Sequence, residues 1–150
     1  MRTEGEIATN TDPTGSWSLV VPLKPLARAK SRLGRAVGGD RARLALAFAQ
    51  DTVSAALSCP AVRDVVVVTD DPVASAALTA LGARAVADVP AAGLNAALEH
   101  GARSVRARRP AAAVAALNAD LPALRPEELA RVLDRAAAFP RAFVTDAQEI

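Results

Sequence analysis

The 150-residue chain is poor in aromatic and sulfur-containing side chains: it has no tyrosine, one tryptophan, three phenylalanines and a single cysteine, Cys59. A lone cysteine excludes an intramolecular disulfide and a zinc site built from several thiolates. The shortage of aromatic rings argues against a protein that stacks the bases of single-stranded nucleic acid. The composition therefore excludes a disulfide and a thiolate zinc cluster, and it disfavours a single-stranded nucleic-acid binder, before any motif is considered.

Long hydrophobic runs and a strong net charge are also missing. No apolar stretch approaches the ~20 residues of a membrane-spanning helix, and residues 1–15 predict a disordered lead-in without a secretory signal. The formal net charge is only +2, which suits a small anionic ligand better than a long nucleic-acid backbone. We expect a cytoplasmic protein with no nucleic-acid partner and no membrane partner, and one domain over residues 16–150.

Apolar residues make up 51% of the chain, mostly as alanine, valine and leucine. Their spacing predicts short buried strands that alternate with helices. The strands are expected at 17–22, 65–69, 84–86, 112–117 and 142–145, and the helices at 40–58, between Asp71 and Gly82, at 96–106 and from Pro126 onward. This alternation predicts a three-layer, Rossmann-like α/β fold with a mostly parallel central sheet and helices on both faces.

A basic segment follows the first predicted strand, and no acid occurs between Pro13 and Gly39. Its cations are Lys24, Arg28, Lys30, Arg32 and Arg35. Lysine and arginine bind phosphate oxygens, and ligands of α/β proteins bind beyond the carboxyl ends of the strands. The segment therefore predicts a phosphate-binding loop. The alternative is the solvated face of a helix over about 26–36, which the rigid Pro22 and Pro25 disfavour.

Polar residues follow the later strands, at the same expected edge of the sheet. They are Asp70, Asp71, Asp88, Asn118, Asp120 and Asp146. Asp71 precedes a proline and is expected to cap a helix, whereas Asp70, Asp88 and Asp146 are compatible with either a surface or a functional role. Capping does not explain Asp120, because residues 121–124 separate it from the next helix. A carboxylate opposite a basic loop suits Mg²⁺ bound to a polyphosphate, and Asp120 is the acid for which position most favours a functional role.

The segment Gly93-Leu94-Asn95 has two interpretations. It can be a turn in which Asn95 is the helix N-cap, or it can bring backbone close to a nucleobase whose edge the Asn95 amide reads. His100 is expected on a helix surface, because no serine or cysteine arrangement predicts a catalytic triad. The glycines near residue 38 fit neither a Walker loop nor a dinucleotide fingerprint.

Four segments together resemble the guanylyltransferase family of coenzyme F420 biosynthesis, known as 2-phospho-L-lactate or phosphoenolpyruvate guanylyltransferase. The segments are Pro22–Leu33 (Pro-Leu-Lys-Pro-Leu, then Ala-Lys-Ser-Arg-Leu), Val66–Asp70, Gly93–Leu98 and Ala119–Pro122. The resemblance implies a nucleotidyltransferase fold. It also implies transfer of GMP from GTP to phosphoenolpyruvate or 2-phospho-L-lactate, with release of pyrophosphate.

The resemblance assigns roles to individual residues. Nucleotide contacts are implied for Leu23, Lys24, Lys30, Arg32, Gly93, Leu94 and Asn95. The lysines and Arg32 would bind the triphosphate, and Asp120 would hold Mg²⁺, with Lys24 and Asp120 as the catalytic pair. No histidine base is needed, because a phosphate acceptor is already a good nucleophile and catalysis rests on positioning and charge neutralisation.

Members of that family continue with Gly-Thr-Gly-Thr and Phe-Gly-Pro-Gly-Ser segments and a second metal-binding aspartate, whereas this sequence stops at Ile150. The resemblance therefore predicts a nucleotidyltransferase domain without that segment and with weak or absent acceptor binding. Two alternatives stay open: another small nucleotidyltransferase, such as a molybdenum-cofactor guanylyltransferase, and a truncated, non-catalytic nucleotide-binding domain. The acceptor and a homodimeric assembly also stay open.

Overall fold

The computed structural model describes residues 16–26, 38–89 and 91–142. Within these ranges the elements are β1 (Trp17–Pro22), α1 (Gly38–Leu57), β2 (Val62–Val68), α2 (Pro72–Leu81), β3 (Arg84–Val86), α3 (Leu94–Arg108), β4 (Ala113–Ala116) and α4 (Pro126–Ala136). The predicted order of strands and helices is confirmed over these ranges. The lead-in at 1–15 and residues 143–145 of the last predicted strand lie outside them.

The four strands form one parallel sheet in the order β3-β2-β1-β4. In the central strand, Val20 pairs with Val66 on one side and with Ala116 on the other. Residues 65–68 of β2 are at most 1% exposed, so this valine run is buried on both faces of the sheet. A strand of this kind needs helices above and below it, as the sequence predicts.

Helices cover the two faces of the sheet unequally. On one face, α1, α2 and α4 pack together over the side chains of Leu19 and Val21. On the other face, α3 packs on Val20, Val66 and Val68. Each fully buried valine contributes about 1.5–3 kcal/mol relative to an exposed one, so this double-sided burial is the main source of stability. The three-layer α/β architecture is confirmed.

Side chains close the edge at which the strands begin, which we call the amino edge. The hydroxyl of Ser18 donates to the Asp64 carboxylate, and Arg109 donates to Ser18 Oγ. Arg109 Nη2 also lies 3.5 Å from Asp64 Oδ1. This cluster ties β1, β2 and the end of α3 together.

Among residues 16–26, 38–89 and 91–142, none of the helices combines the length and the hydropathy of a membrane span.

Candidate functional site

The strands are parallel, so the loops that follow them all lie at the opposite edge, which we call the carboxyl edge. Within the described residues these loops are 23–26, 69–71, 87–89 with 91–93, and 117–125. They bring most of the predicted site residues to one side of the domain: Lys24, Asp70, Asp71, Asp88, Gly93 and Asp120. Because β1 lies between β2 and β4, the Lys24 loop lies between the loops that carry Asp70 and Asp120. Lys30, Arg32 and Asp146 lie outside the described residues.

Two leucines anchor the loop after β1 and leave Lys24 exposed between them. The backbone N–H of Leu23 donates to Val68 O at 3.0 Å, and its side chain packs against the helical core. Leu26 is 6% exposed and packs on Ala45. The side chain and the N–H of Leu23 are thus both engaged within the protein.

Asp71 holds the loop after β1 as well as capping α2. Its Oδ1 accepts from the N–H groups of Val73 at 2.9 Å and Ala74 at 3.0 Å, which confirms the predicted N-cap. Its Oδ2 accepts from Leu26 N at 2.8 Å. Partial burial raises the pKa of the Asp71 carboxyl, but the N–H donors of Leu26, Ala74 and Val73 outweigh that effect and lower the pKa below its ordinary value. The carboxylate therefore fixes the position of the Lys24 loop.

Asp70 joins the loops that follow β2 and β3. Its Oδ1 accepts from the backbone N–H of Asp88 at 2.9 Å, and Thr69 N donates to Val86 O at 3.0 Å. A cleft of about 280 Å³ opens beside them, lined in part by Thr69, Asp70 and Ser75. The carboxylate of Asp70 thus has a structural partner at the rim of an open cleft.

The first turn of α3 differs from its prediction. The helix begins at Leu94, so Asn95 lies inside the first turn, and the interpretation of Asn95 as the N-cap is wrong. Gly93 takes the cap position with φ 103° and ψ −177°, a conformation that is essentially restricted to glycine. This freedom lets the chain enter the helix two residues earlier than predicted.

The start of α3 is open to a ligand. Gly93 has no side chain to accept from the first-turn N–H groups, and both Leu94 and Asn95 are exposed. An uncapped helix start attracts anions through its free N–H groups and the helix dipole. His100 lies further along the same helix and is half-buried.

Asp120 is half-buried in the loop after β4, and a residue that the sequence did not point to anchors this loop. The Oγ1 atom of Thr52, in α1, accepts from Leu121 N at 2.8 Å and lies 3.2 Å from Ala119 O. These contacts bracket Asp120 on both sides. The only local signal was a threonine among apolar core positions of a predicted helix.

The donor set at the carboxyl edge fits Mg²⁺ that arrives with a nucleotide. Among the described residues, no group of three or more histidine, cysteine, aspartate or glutamate side chains is placed to form a metal cage. Magnesium in nucleotide sites is typically bound through one or two carboxylates, with phosphate oxygens and water as the other ligands. Asp120 can supply such a carboxylate.

Comparison with solved structures identifies the fold. A protein assigned as a nucleotide-diphospho-sugar transferase of Desulfovibrio desulfuricans superposes with a TM-score of 0.63 at 19% identity, over 83% of this chain and 55% of that one. The CMP:2-keto-3-deoxy-manno-octonic acid synthetase bound to CTP gives a TM-score of 0.55 at 23% identity, over 84% and 49% of the two chains. Both likenesses support the predicted nucleotidyltransferase-like fold.

Sequence comparison is more specific. The phosphoenolpyruvate guanylyltransferase of Streptomyces avermitilis is 70% identical over 135 residues, which cover 89% of this chain and 62% of that protein. The enzyme of the same name from Thermomonospora curvata is 59% identical over 144 residues, covering 96% and 63%. The chain thus spans about three fifths of the length of these relatives. The profile of the family described as "Guanylyl transferase CofC like" matches residues 17–141, and the chain belongs to this family.

Proposed function

We propose that the protein transfers GMP from GTP to phosphoenolpyruvate and releases pyrophosphate, as a step in coenzyme F420 biosynthesis. The observation that carries this proposal is the 70% identity, over 89% of this chain, to a phosphoenolpyruvate guanylyltransferase. The names of these relatives favour phosphoenolpyruvate over 2-phospho-L-lactate as the acceptor.

The reaction needs charge neutralisation more than proton transfer. A phosphate oxygen of the acceptor forms a bond to the α-phosphorus of GTP, and the bond from that phosphorus to the bridging oxygen breaks. Pyrophosphate leaves with the bonding electron pair. Lys24 is exposed beside the end of β1, where its ammonium group can neutralise the triphosphate, and Lys30 and Arg32 are proposed to assist it.

Asp120 would hold Mg²⁺, which when bound would supply positive charge and orient the triphosphate. The guanine nucleotide would lie against Gly93, Leu94 and Asn95, since the first turn of α3 offers free N–H groups. These assignments place Lys24 between the metal and the cleft next to Asp70, in agreement with the strand order.

The experiment is mass-spectrometric detection of the guanylylated acid after incubation of the protein with GTP, Mg²⁺ and phosphoenolpyruvate. Parallel reactions replace the acid by 2-phospho-L-lactate, or GTP by CTP and ATP. We expect product from GTP and phosphoenolpyruvate, with stoichiometric pyrophosphate, when the family's Gly-Thr-Gly-Thr and Phe-Gly-Pro-Gly-Ser segments follow residue 150, and little or none from residues 1–150 by themselves. Lys24→Ala should reduce it strongly, whereas Lys24→Arg should retain part of the activity.

The same experiment separates the alternatives. GTP binding by calorimetry without product for either acid, even with those segments present, would favour a non-catalytic nucleotide-binding domain. Product from CTP as readily as from GTP would contradict a guanylyltransferase. A cytoplasmic location and a homodimer belong to the proposal as predictions, and sedimentation of the purified protein measures the second.

A further inference from the structure

Thr52 carries a hydroxyl group in a part of α1 that is otherwise apolar. The residue is 0% exposed, and the buried helix positions around it are Ala49, Val53 and Ala56. Packing alone does not require threonine here, because valine has the same shape and avoids the cost of burying a hydroxyl. Threonine is also a weak helix former. Core packing therefore does not explain why this residue carries a hydroxyl group.

The contacts of Oγ1 supply that reason. It donates to the carbonyl oxygen of Phe48 at 2.8 Å, the common bond of a helical threonine to the residue four positions earlier. The same atom accepts from Leu121 N at 2.8 Å and lies 3.2 Å from Ala119 O, groups that are 69 and 67 residues away in the chain. One buried hydroxyl thus touches the backbone immediately before and immediately after Asp120.

We infer that Thr52 is a positioning residue that sets the Asp120 carboxylate for metal binding. This inference rests on the proposed function, in which Asp120 holds Mg²⁺. Because the loop is fixed on both sides of Asp120, the backbone of Asp120 has few accessible conformations. The conformational entropy is therefore lost when the protein folds and not when the metal binds. Loss of a partner that orients a metal ligand typically lowers metal affinity about 10–100-fold.

Calorimetric titration with GTP, in Mg²⁺ and separately in EDTA, tests the inference. Thr52→Val keeps the shape and removes the hydroxyl, so we expect about tenfold weaker binding in Mg²⁺ and unchanged binding in EDTA. Thr52→Ser restores the hydroxyl and should bind within about twofold of the original protein. The matched control is Thr79→Val, because Thr79 bonds to Ser75 O at 2.8 Å but is exposed on α2 and far along the chain from this loop.

A second measurement does not depend on metal. Hydrogen exchange at the Leu121 amide should accelerate in Thr52→Val and stay slow in Thr52→Ser, because the amide loses its acceptor only in the first variant. If Thr52→Val does not fold, Thr52→Cys, with a weakly bonding thiol, takes its place in both measurements.

The outcomes distinguish this inference from the proposed function. Unchanged Mg²⁺-dependent binding in Thr52→Val, beside a large loss in Asp120→Asn, would overturn the role of Thr52 and leave the proposed function intact. If Asp120→Asn also binds GTP normally in Mg²⁺, the metal role of Asp120 is wrong and the inference falls with it.

Discussion

The two edges of the sheet are formed by the same four strands but are built from different kinds of polar contact. At the amino edge, Ser18, Asp64 and Arg109 pair with one another through their side chains. At the carboxyl edge, Asp70 and Asp71 accept from backbone N–H groups of neighbouring loops. At the amino edge the polar side chains bond to one another, whereas at the carboxyl edge they bond to the backbone of the loops and hold the loops in place.

This difference shows how a domain can hold the loops of a site in position and still leave side chains exposed for a ligand. Carboxylates that accept from backbone groups immobilise the loops and leave other side chains at this edge exposed, among them Lys24 in its loop and Asn95 in the first turn of α3. Paired side chains at the amino edge stabilise the fold but leave little for a ligand. Changes at the two edges should therefore separate ligand binding from stability.

The largest expected effect is the loss of metal-dependent binding in Asp120→Asn. The amide keeps the shape but lacks the charge that Mg²⁺ requires, so we expect roughly 100-fold weaker GTP binding in Mg²⁺. The unfolding free energy is measured beside it, because the half-buried Asp120 also has a contact within the protein. Calorimetry and urea unfolding measure the two quantities. Asp134→Asn, on the exposed side of α4, is the charge-matched control. Equal losses in both variants would mean that charge, not position, matters.

The next effect compares two glycines with positive φ, one at each edge. Gly93 has φ 103° before α3, and Gly82 has φ 118° after α2. Alanine at either position strains the backbone by about 1–3 kcal/mol, and nothing lies within 4 Å of a Cβ at Gly93, so the cost there is purely conformational. Both variants should unfold in less urea, but only Gly93→Ala should also weaken GTP binding. Weaker GTP binding in Gly82→Ala would contradict the division between the edges.

Much of this architecture was predictable because its causes are local. The valine run at 65–68, the Asp71-Pro72 cap and the glycine after α2 each encode an element within a few residues, and each prediction is confirmed. Other features could not be predicted from the sequence, because they depend on contacts between distant parts of the chain. The anchoring of Asp120 by Thr52 and the packing of Leu23 against α1 arise only when the helices lie on the sheet.

The start of α3 shows a different limit of sequence interpretation. Asparagine is a common N-cap, so local preference placed the boundary at Asn95. The helix instead begins at Leu94, because Gly93 adopts a backbone conformation that is essentially restricted to glycine and takes the N-cap position. The roles assigned to Lys24, Asp120 and Asn95 stay predictions until the variants are measured.

A smaller effect is expected from Arg109→Ala at the amino edge. Arg109 and Asp64 are partly exposed, 28% and 42% by side chain, so their ion pair is screened by water and adds little. With the bond to Ser18 included, we expect a loss of about 1 kcal/mol in unfolding free energy. GTP binding in Mg²⁺ should change less than twofold. A selective loss of binding, with stability intact, would show that the amino edge takes part in ligand recognition.

The smallest effect is a pH dependence that Asp71 gives to the carboxyl edge. Because three backbone N–H donors hold its pKa below the ordinary value of 3.8, the carboxylate stabilises the folded protein fully above that value. The contribution is lost as the pH falls through the lower pKa of the folded state, since protonation weakens the bonds to Leu26 and to the start of α2. Urea unfolding of the original protein and Asp71→Asn across this range measures it, and the two stability curves should converge as the pH falls.

Because the carboxylate bonds directly to Leu26, GTP binding at neutral pH should weaken in Asp71→Asn together with stability, a coupling that Arg109→Ala should lack. Parallel stability curves down to the lowest pH would show that Asp71 holds the loop by shape and not by charge.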